Sequence, residues 1–477
     1  MTAIALAARR PAQVRLTKGR AIAVLLVVAA VLYIVFQGTF QLPLDTETSL
    51  FQRLNDVRDW FGTNRNAPLF SVLITPLRQA IDTLVVATTD VLNAAGWLGI
   101  TAAAGALGLA FVTWRTALLV AGALVLIALM GLWDATIVTL GQVIVAVAIA
   151  LLVGIPLGIW AGRSDRVLRV VTPILDLMQI MPSYAYLAPL ALFFLIGNAT
   201  ATVATMIYAV PPAIRITAMG IRGVPVETVE AATSLGSTTG QVLRKVQLPM
   251  ARTTVGLAVN QTIMMALSMV VITALVGAGG LGDKIIRGLI TLDTGAAFDA
   301  GIAIVLLAMI LDRLTASASQ VAGRRQTGTD PITPARRRAL IAAGVGIAVV
   351  GIILGVAVDQ AHTFPADWHF SFADPVNAIV GWVETNLAFL TDALKNVVSA
   401  WFLDPIQTAL TSSPWWLVVG VAACLALIVT GLRAAIVVTV ASLMIIALQV
   451  WEPAMETLTQ VLVGVVVTLV IGVTMGT

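Results

Sequence analysis

The sequence predicts an all-α fold, a polytopic bundle of transmembrane helices. Composition, the length of its apolar runs and the placement of its basic residues each point there. Of 477 residues, 59% are hydrophobic and 11% are charged, and the mean hydropathy is +0.98. A soluble domain carries about 25% charged residues. A chain with so little polar surface could not cover itself in water, whereas lipid lets apolar side chains face outward.

Apolar runs place spans at about 21–37, 97–113, 116–132, 136–160, 172–196, 201–219, 254–277, 300–318, 339–357, 415–430, 434–450 and 455–475. Most approach the ~20 residues that cross a bilayer. The shorter ones need interfacial flanks or local thinning. The first run follows Arg9, Arg10, Arg15, Lys18 and Arg20 and lacks a cleavage site leading into a soluble domain. It reads as a signal anchor with a cytoplasmic N-terminus.

From that start the loops alternate. The inner ones hold Arg115; Arg163, Arg166 and Arg169; Arg222, Arg244, Lys245 and Arg252; Arg324, Arg325, Arg336, Arg337 and Arg338; and Arg433. Outer turns at Trp133–Asp134, Asn198 and Trp451–Glu452 are almost free of basic residues, as the positive-inside rule requires. The exception is 278–299, with Lys284 and Arg287, a glycine-rich stretch expected to make a partly helical excursion. Two long outer segments, 38–96 and 358–414, carry helix-like apolar spacing. In the first, Phe51, Leu54, Val57 and Trp60–Phe61 form one stripe, so interfacial helices on the outer face are expected. Trp97, Trp133, Trp415 and Trp451 read as interfacial anchors.

Other classes are excluded by what the chain lacks. A formal charge of +4 is spread in loop clusters, which argues against nucleic-acid binding. One cysteine, Cys424, and two histidines, His362 and His369, leave too few ligands for a metal site, and no nucleophile–base constellation marks a catalytic centre. No Gly-x-x-x-x-Gly-Lys-[Ser/Thr] phosphate loop occurs, so no ATP hydrolysis is expected from this chain alone.

The chain also repeats itself. A shift of 318 residues, Trp133 onto Trp451, brings Trp97 onto Trp415, Arg115 onto Arg433 and Asp134 onto Glu452. It also brings Thr139–Leu140 onto Thr457–Leu458, Gln142 onto Gln460, Gly154 onto Gly472 and Gly158 onto Gly476. Apolar residues align by chance in membrane helices; these residue types in one ungapped register do not. The second copy stops at Thr477 inside a span, so the sequence reads as part of a longer tandem protein or as a chain that ends early. The polar stretch 321–338 is the expected linker between the copies.

One inner loop stands apart. Residues 226–254 open with VETVEAATSLGSTTG and continue QVLRKVQLPMARTT. Thr228 to Leu235 should form a short helix, slim where Ala231 and Ala232 let a partner approach. Gly236 should break it with a positive φ. Thr239 to Val246 should form a second, basic helix, which Pro249 stops and redirects. The product is a helix–turn–helix bracket on the inner face. On the residues alone, an ordinary amphipathic connector fits as well.

The loop resembles the EAA motif of the permease subunits of bacterial ABC importers: Glu-Ala-Ala, three residues, Gly, nine residues, then an aliphatic residue, any residue and Leu-Pro. Glu230, Ala231, Ala232, Gly236, Val246, Leu248 and Pro249 match every specified position. Met178 to Tyr184, Tyr186 to Pro189, Tyr208 to Arg215, Asn260 to Met264, Leu267 to Met269, Gly277 to Gly282 and Leu311 to Arg313 resemble the glycine betaine/proline betaine permeases.

The resemblance implies a type I permease fold in the bacterial inner membrane. It implies separate ATPase subunits that use ATP and grip the loop through Glu230 and Gly236. It further implies an extracytoplasmic binding protein, a quaternary ammonium cargo and no cofactor in this chain. Permeases for choline, carnitine or an amino acid would look the same, and a secondary transporter is the rival of another class. The segments are then 1–96, anchor and outer face; 97–320, first core; 321–338, linker; 339–414, second anchor and outer face; and 415–477, the start of a second core. The usual family member carries one core and forms homodimers, so the fusion puts homodimerisation in doubt.

Within the bundle, Pro182, Pro189 and Pro211–Pro212 should interrupt helices, as is tolerated where backbone is buried or lines a cavity. Asn260 and Gln261 should face the interior. Met178, Gln179, Met181, Tyr184, Asn260 and Met264 are candidates for the translocation path, or simply hold helices together. Asp312 and Arg313, adjacent on a helix, should not bond to each other. The spans show no aromatic cage of the kind that holds quaternary ammonium groups.

Overall fold

A computed structural model describes residues 18–42, 49–111, 114–326, 333–357 and 364–476. Turns and short links aside, the described residues are helical and contain no strand. Seven helices among them are long and apolar enough to cross a membrane, and nine spans result if two bent pairs count as one each. His362 lies outside the described residues, as do most of the linker's turn residues, 327–332.

The chain forms two units, one of residues 60–382 and one of residues up to 59 together with 383 onward. In the larger unit, α3 (Thr75–Phe111), α4 (Trp114–Leu129), α5 (Trp133–Arg163) and α8 (Asn198–Arg222) build the bundle. They are joined by α11 (Leu248–Thr273), α13 (Thr294–Gln326) and α14 (Pro334–Ala357). Ile127, Ile137, Val143, Ile214, Leu267 and Leu307 lie at its apolar centre. Burying each such side chain contributes about 1.5–3 kcal/mol when its alternative is water, but inside lipid the gain comes from close packing instead.

Small residues provide that packing on α5. Gly154 and Gly162 face Ala213 and Ile221 of α8, and a Cβ added at either glycine would stand 2.5 or 2.8 Å from the opposing Cβ. With Gly158 between them, four-residue spacing puts these glycines on one stripe of the helix, so the two backbones approach closely. Gln142 Nε2 adds a 3.0 Å hydrogen bond to Asn198 Oδ1.

Several expectations need correction. The sequence predicts a span starting at 97 after an interfacial stretch. Instead α3 runs from Thr75 to Phe111 and bends at Gly96, where φ is 64°. Its charged residues have work to do within the fold. Asp82 accepts the Ala199 backbone N–H at 2.9 Å, at the start of α8, and pairs with Arg78 at 3.4 Å. The predicted helix over the Phe51–Phe61 stripe is present as α2 (Ser49–Thr63).

The run 172–196 is two helices, α6 (Asp165–Ile180) and α7 (Ser183–Phe194), bent by 98° at Met181–Pro182. Pro182 breaks the helix as expected, whereas Pro189 sits inside α7 and Pro211–Pro212 inside an unbroken α8. Pro211 and Pro212 are buried, where packing holds the helix despite lost hydrogen bonds. Trp133 and Trp451 are buried at 7% and 3% exposure, so both are core side chains rather than lipid-facing anchors.

Prolines elsewhere are accommodated by widened turns. Leu69–Ile74, Leu243–Gln247 and Ser399–Leu403 are π-helical. The next N–H, of Thr75, Leu248 or Asp404, donates to the carbonyl five residues back. The residue after each is a proline: Pro76, Pro249 and Pro405. Opening the turn relieves the clash between the ring and the preceding helical carbonyls.

The glycine-rich stretch forms α12 (Leu281–Ile290), as expected of a helical excursion. A strap, residues 364–382, fastens onto the neighbouring turn. The buried Asp299 accepts from Ser371 Oγ at 2.6 Å and from the Phe372 N–H at 3.1 Å. Asn377 donates to Asp293 at 2.8 Å and accepts from the Gly295 N–H at 2.7 Å. Asn377 and the Ala296 N–H together hold the Asp293 carboxyl below the usual carboxylate range. Phe364 packs edge-on to Trp97, with centroids 4.9 Å apart, and stacks on His369.

In the smaller unit, α1 (Lys18–Phe36) packs on α18 (Trp415–Val429), which pairs with α19 (Leu432–Ala447). The last residues of α15 (Ala373–Asn386) enter this unit, short helices α16 (Ala388–Val398) and α17 (Asp404–Thr411) precede α18, and α20 (Trp451–Gly476) follows α19. Val419, Trp451 and Met455 form its core.

Candidate functional site

The inner loop is built from both ends. Arg222, at the end of α8, donates to Asp165 of α6 at 2.6 Å and to the Ala161 carbonyl of α5 at 3.2 Å. Arg215 pairs with Asp176, so two ion pairs hold α6 to α8. Beyond Pro225, residues Val226–Ser234 form α9.

The end of α9 explains the glycine. Gly236 N–H donates to Thr233 O at 2.9 Å and Ser237 N–H to Ala232 O at 3.2 Å. That pair of bonds is a Schellman cap, which needs a left-handed residue at Gly236. Its φ is +81°, as the sequence predicts, and nothing lies within 4 Å of a Cβ placed there. Thr238 then starts α10 (Thr239–Val242) with a capping box. Its N–H donates to Gln241 Oε1 at 2.8 Å and its hydroxyl accepts the Gln241 N–H at 3.4 Å.

One expectation fails here. Pro249 does not stop the second helix. The helical path runs from Thr239 to Val276 through the π turn at Leu243–Gln247, with Pro249 in the first turn of α11. The widened turn just before it, where the Leu248 N–H reaches the Leu243 carbonyl, lets the proline sit within a continuous helix.

The motif residues fall into two groups. Glu230, Ala231, Gly236 and Pro249 are exposed, while Ala232, Val246 and Leu248 are half-buried against the base. Leu235, between the two helices, is 87% exposed. Sequence reasoning missed it. Its signal was its place just before the capping glycine, where the cap turns a side chain outward. The bracket thus presents an apolar side chain, a carboxylate and two small residues on one exposed turn.

The candidate path residues do not gather in one place. Met178 packs on the main core and Met181 on the separate cluster around Tyr186 and Met269. Gln179 and Tyr184 are exposed, and Met264 is half-buried. Asn260 is committed at both ends. Its Nδ2 donates to Asp312 Oδ1 at 3.0 Å, and Thr315 Oγ1 donates to its Oδ1, which ties α11 to α13. Gln261, expected to face inward, is exposed. Asp312 turns inward to Asn260 while Arg313 is exposed, so the two adjacent charges do part. No group of three or more metal-ligating side chains occurs among the described residues.

Comparison with known proteins places this loop in a family. Residues 154–321 match the family described as binding-protein-dependent transport system inner membrane component. The chain is 51% identical over 190 residues to the glycine betaine transport system permease protein OpuAB of Bacillus subtilis, covering 40% of this chain and 67% of that one. It is 47% identical over 192 residues to the glycine betaine/proline betaine permease protein ProW of Escherichia coli, covering 40% and 54%. It is 32% identical over 385 residues to the trimethylamine N-oxide permease protein TmoV of Ruegeria pomeroyi, covering 80% and 58%. The chain thus spans between 54% and 67% of the length of these relatives. The TmoV match, at 385 residues, reaches well beyond the first copy. The chain belongs to the family of inner membrane components of binding-protein-dependent transport systems.

Proposed function

We propose that this chain is the permease subunit of an ATP-driven importer of glycine betaine and proline betaine. It works with separate ATPase subunits, a binding protein outside and an N-terminus inside. The exposed bracket of α9 and α10 carries the reading. Glu230, Ala231, Leu235 and Gly236 offer a docking face, and the helix behind it runs unbroken into the bundle. A partner that moves the bracket therefore moves a span. The alternating basic loops support the N-terminus inside, and the names of OpuAB and ProW support the cargo. The path would run along Met178, Gln179, Met181, Tyr184 and Met264, with Asn260 as a tie beside it.

Trimethylamine N-oxide is the second reading, favoured by the TmoV match over 80% of the chain. Like the betaines, it carries a methylated, positively charged nitrogen. Uptake of labelled glycine betaine and trimethylamine N-oxide tests both. The host is a strain without betaine importers, at high osmolarity, carrying the full reading frame with its ATPase and binding-protein genes. Betaine uptake that needs the ATPase and falls in Leu235→Asp is expected. Uptake of trimethylamine N-oxide alone would replace the cargo. Transport that persists without the ATPase would overturn the importer reading.

A further inference from the structure

Two arginines meet at the end of the bundle opposite the bracket. α8 runs from Asn198 to Arg222, so the turn that precedes Asn198 lies at its far end from the inner loop. Beside that turn, Arg65 and Arg78 line one cleft of about 430 Å³ together with Thr75, Phe193 and Leu195. That volume is in the range of small-ligand sites.

Both side chains are held in place from behind. Arg65 Nη1 donates to the Phe193 carbonyl at the end of α7, at 3.1 Å, and its guanidinium carbon stands 5.0 Å from the centre of the Phe70 ring. Phe61 packs edge-on to Phe70 and to Phe193, with centroids 5.6 and 4.9 Å apart. Rings and a carbonyl position Arg65, not a carboxylate. Arg78, in the first turn of α3, pairs through Nε with Asp82 at 3.4 Å. Asp82 is shared, because it also accepts the Ala199 N–H at 2.9 Å. Two guanidinium groups thus have one carboxylate between them, and no acidic side chain lines the cleft. The cleft keeps an excess of positive charge, and the Arg78 Nη groups have no acceptor among the described residues. Guanidinium stays charged at any working pH, and its planar fork matches the oxygens of a phosphate. The Thr75 hydroxyl adds a donor to the lining.

The neighbouring surface says what carries the anion. Leu69, Val72 and Leu73 of the π turn and Leu77 of α3 are exposed, Val72 to 74%. Trp60, 48% exposed, has the ring that favours the headgroup level of a bilayer. Apolar side chains gathered in this way need a cover. A free anion would fill the cleft and leave them bare, and so would a carboxylate on a protein loop. A phospholipid meets both demands, with its phosphate between the arginines and its acyl chains along the leucines and the valine. A zwitterionic headgroup would bring an ammonium into a cleft that has no carboxylate to receive it. A lipid of net negative charge has no such group to place.

We propose that Arg65 and Arg78 form a binding site for the phosphate of an anionic phospholipid, of the phosphatidylglycerol class. The bound phosphate staples the start of α3 to the end of α7. It does so beside Leu195, which holds a left-handed φ of 63° between α7 and α8.

The test uses the full reading frame with its partner subunits, purified in detergent and stripped of lipid. Short-chain phosphatidylglycerol, short-chain phosphatidylcholine or inorganic phosphate is added, and binding is read from native mass spectra and thermal midpoints. Wild type should bind phosphatidylglycerol, with a raised midpoint, and bind phosphatidylcholine more weakly. Arg65→Gln/Arg78→Gln should weaken phosphatidylglycerol binding about tenfold or more. Lys284→Gln/Arg287→Gln, which removes an exposed basic pair of α12, should bind as wild type does. Arg65→Lys/Arg78→Lys keeps the charge and loses the fork, so it should fall between wild type and the glutamine pair, and it carries the comparison if the glutamine pair does not fold. Phosphatidylglycerol binding by the glutamine pair, or by the lysine pair in its place, equal to that of wild type would overturn the proposal. So would an equal loss in the α12 variant. Two results with wild type alone would also overturn it. One is phosphatidylcholine bound as tightly as phosphatidylglycerol. The other is inorganic phosphate that gives the same stabilisation and displaces the lipid, which would make this a site for a free anion. None of these readouts depends on which solute is carried.

Discussion

Gly158 of α5 lies so close to Thr217 of α8 that a Cβ on the glycine would stand 2.7 Å from the threonine Cβ and 2.8 Å from the Ile214 carbonyl oxygen. The carbonyl belongs to a helix backbone and cannot step aside. Gly158→Ala should therefore push the helices apart, at a cost of about 1–3 kcal/mol. Thermal unfolding in detergent should show a lowered midpoint. Thr217→Gly added to Gly158→Ala should recover only part of it, since the carbonyl contact remains.

Gly236→Ala tests a different constraint. The site is open, so no clash is expected; the cost is the left-handed backbone, about 1–2 kcal/mol. Membrane abundance should stay normal while ATP-dependent uptake falls. Gly236→Asn, which tolerates that conformation better, should retain more uptake than the alanine. Equal uptake by both variants would mean the cap is not what matters.

The Asn260–Asp312 tie should show as non-additivity. Asn260→Leu removes the donor to the half-buried Asp312, with an expected loss of about 1–3 kcal/mol. Asn260→Leu/Asp312→Leu should be less destabilised than the sum of the single variants, read from thermal midpoints in a double-mutant cycle.

The strap should respond to acid. The Asp293 carboxyl is held below its ordinary value, so the folded chain binds its proton less tightly than the unfolded chain. Its stabilisation is complete above about pH 4, the unfolded value, and is lost as pH falls through the lower folded value. Asn377→Ala removes the larger cause. The gap in thermal midpoint between wild type and this variant should narrow as pH drops from about 5 to about 3.

How much of this could be read in advance depended on which signal each element sends. Long uncharged runs such as α5 and α20 announce themselves. The first limb of α3 did not, because Arg78, Asp82 and Asp90 look like loop residues until α8 brings its N-terminus to Asp82. The positive φ of Gly236 was legible, since a helix followed by glycine and a fresh capping box leaves little choice. The continuity through Pro249 was not, because the π turn that permits it leaves no mark in composition. Pro182 bends its helix and Pro211 does not, although both are prolines in apolar runs; their packing decides, and packing is a property of neighbours. Trp133 and Trp451 were legible as counterparts but misread as anchors, because the side chains that bury them come from other helices.

The unbroken helix from Thr239 to Val276 also behaves as a lever. A polar fastening to α13, Asn260 with Asp312 and Thr315, sits about 32 Å along the axis from Thr239 and about 24 Å from Val276. With that fastening as fulcrum, a sideways stroke of about 4 Å at the Thr239 end would become about 3 Å of opposite travel at the Val276 end. A proline that ended the helix at 249 would have put a joint in the handle. Because the joint is closed, a stroke at the Thr239 end would reach the Val276 end as a reversed one.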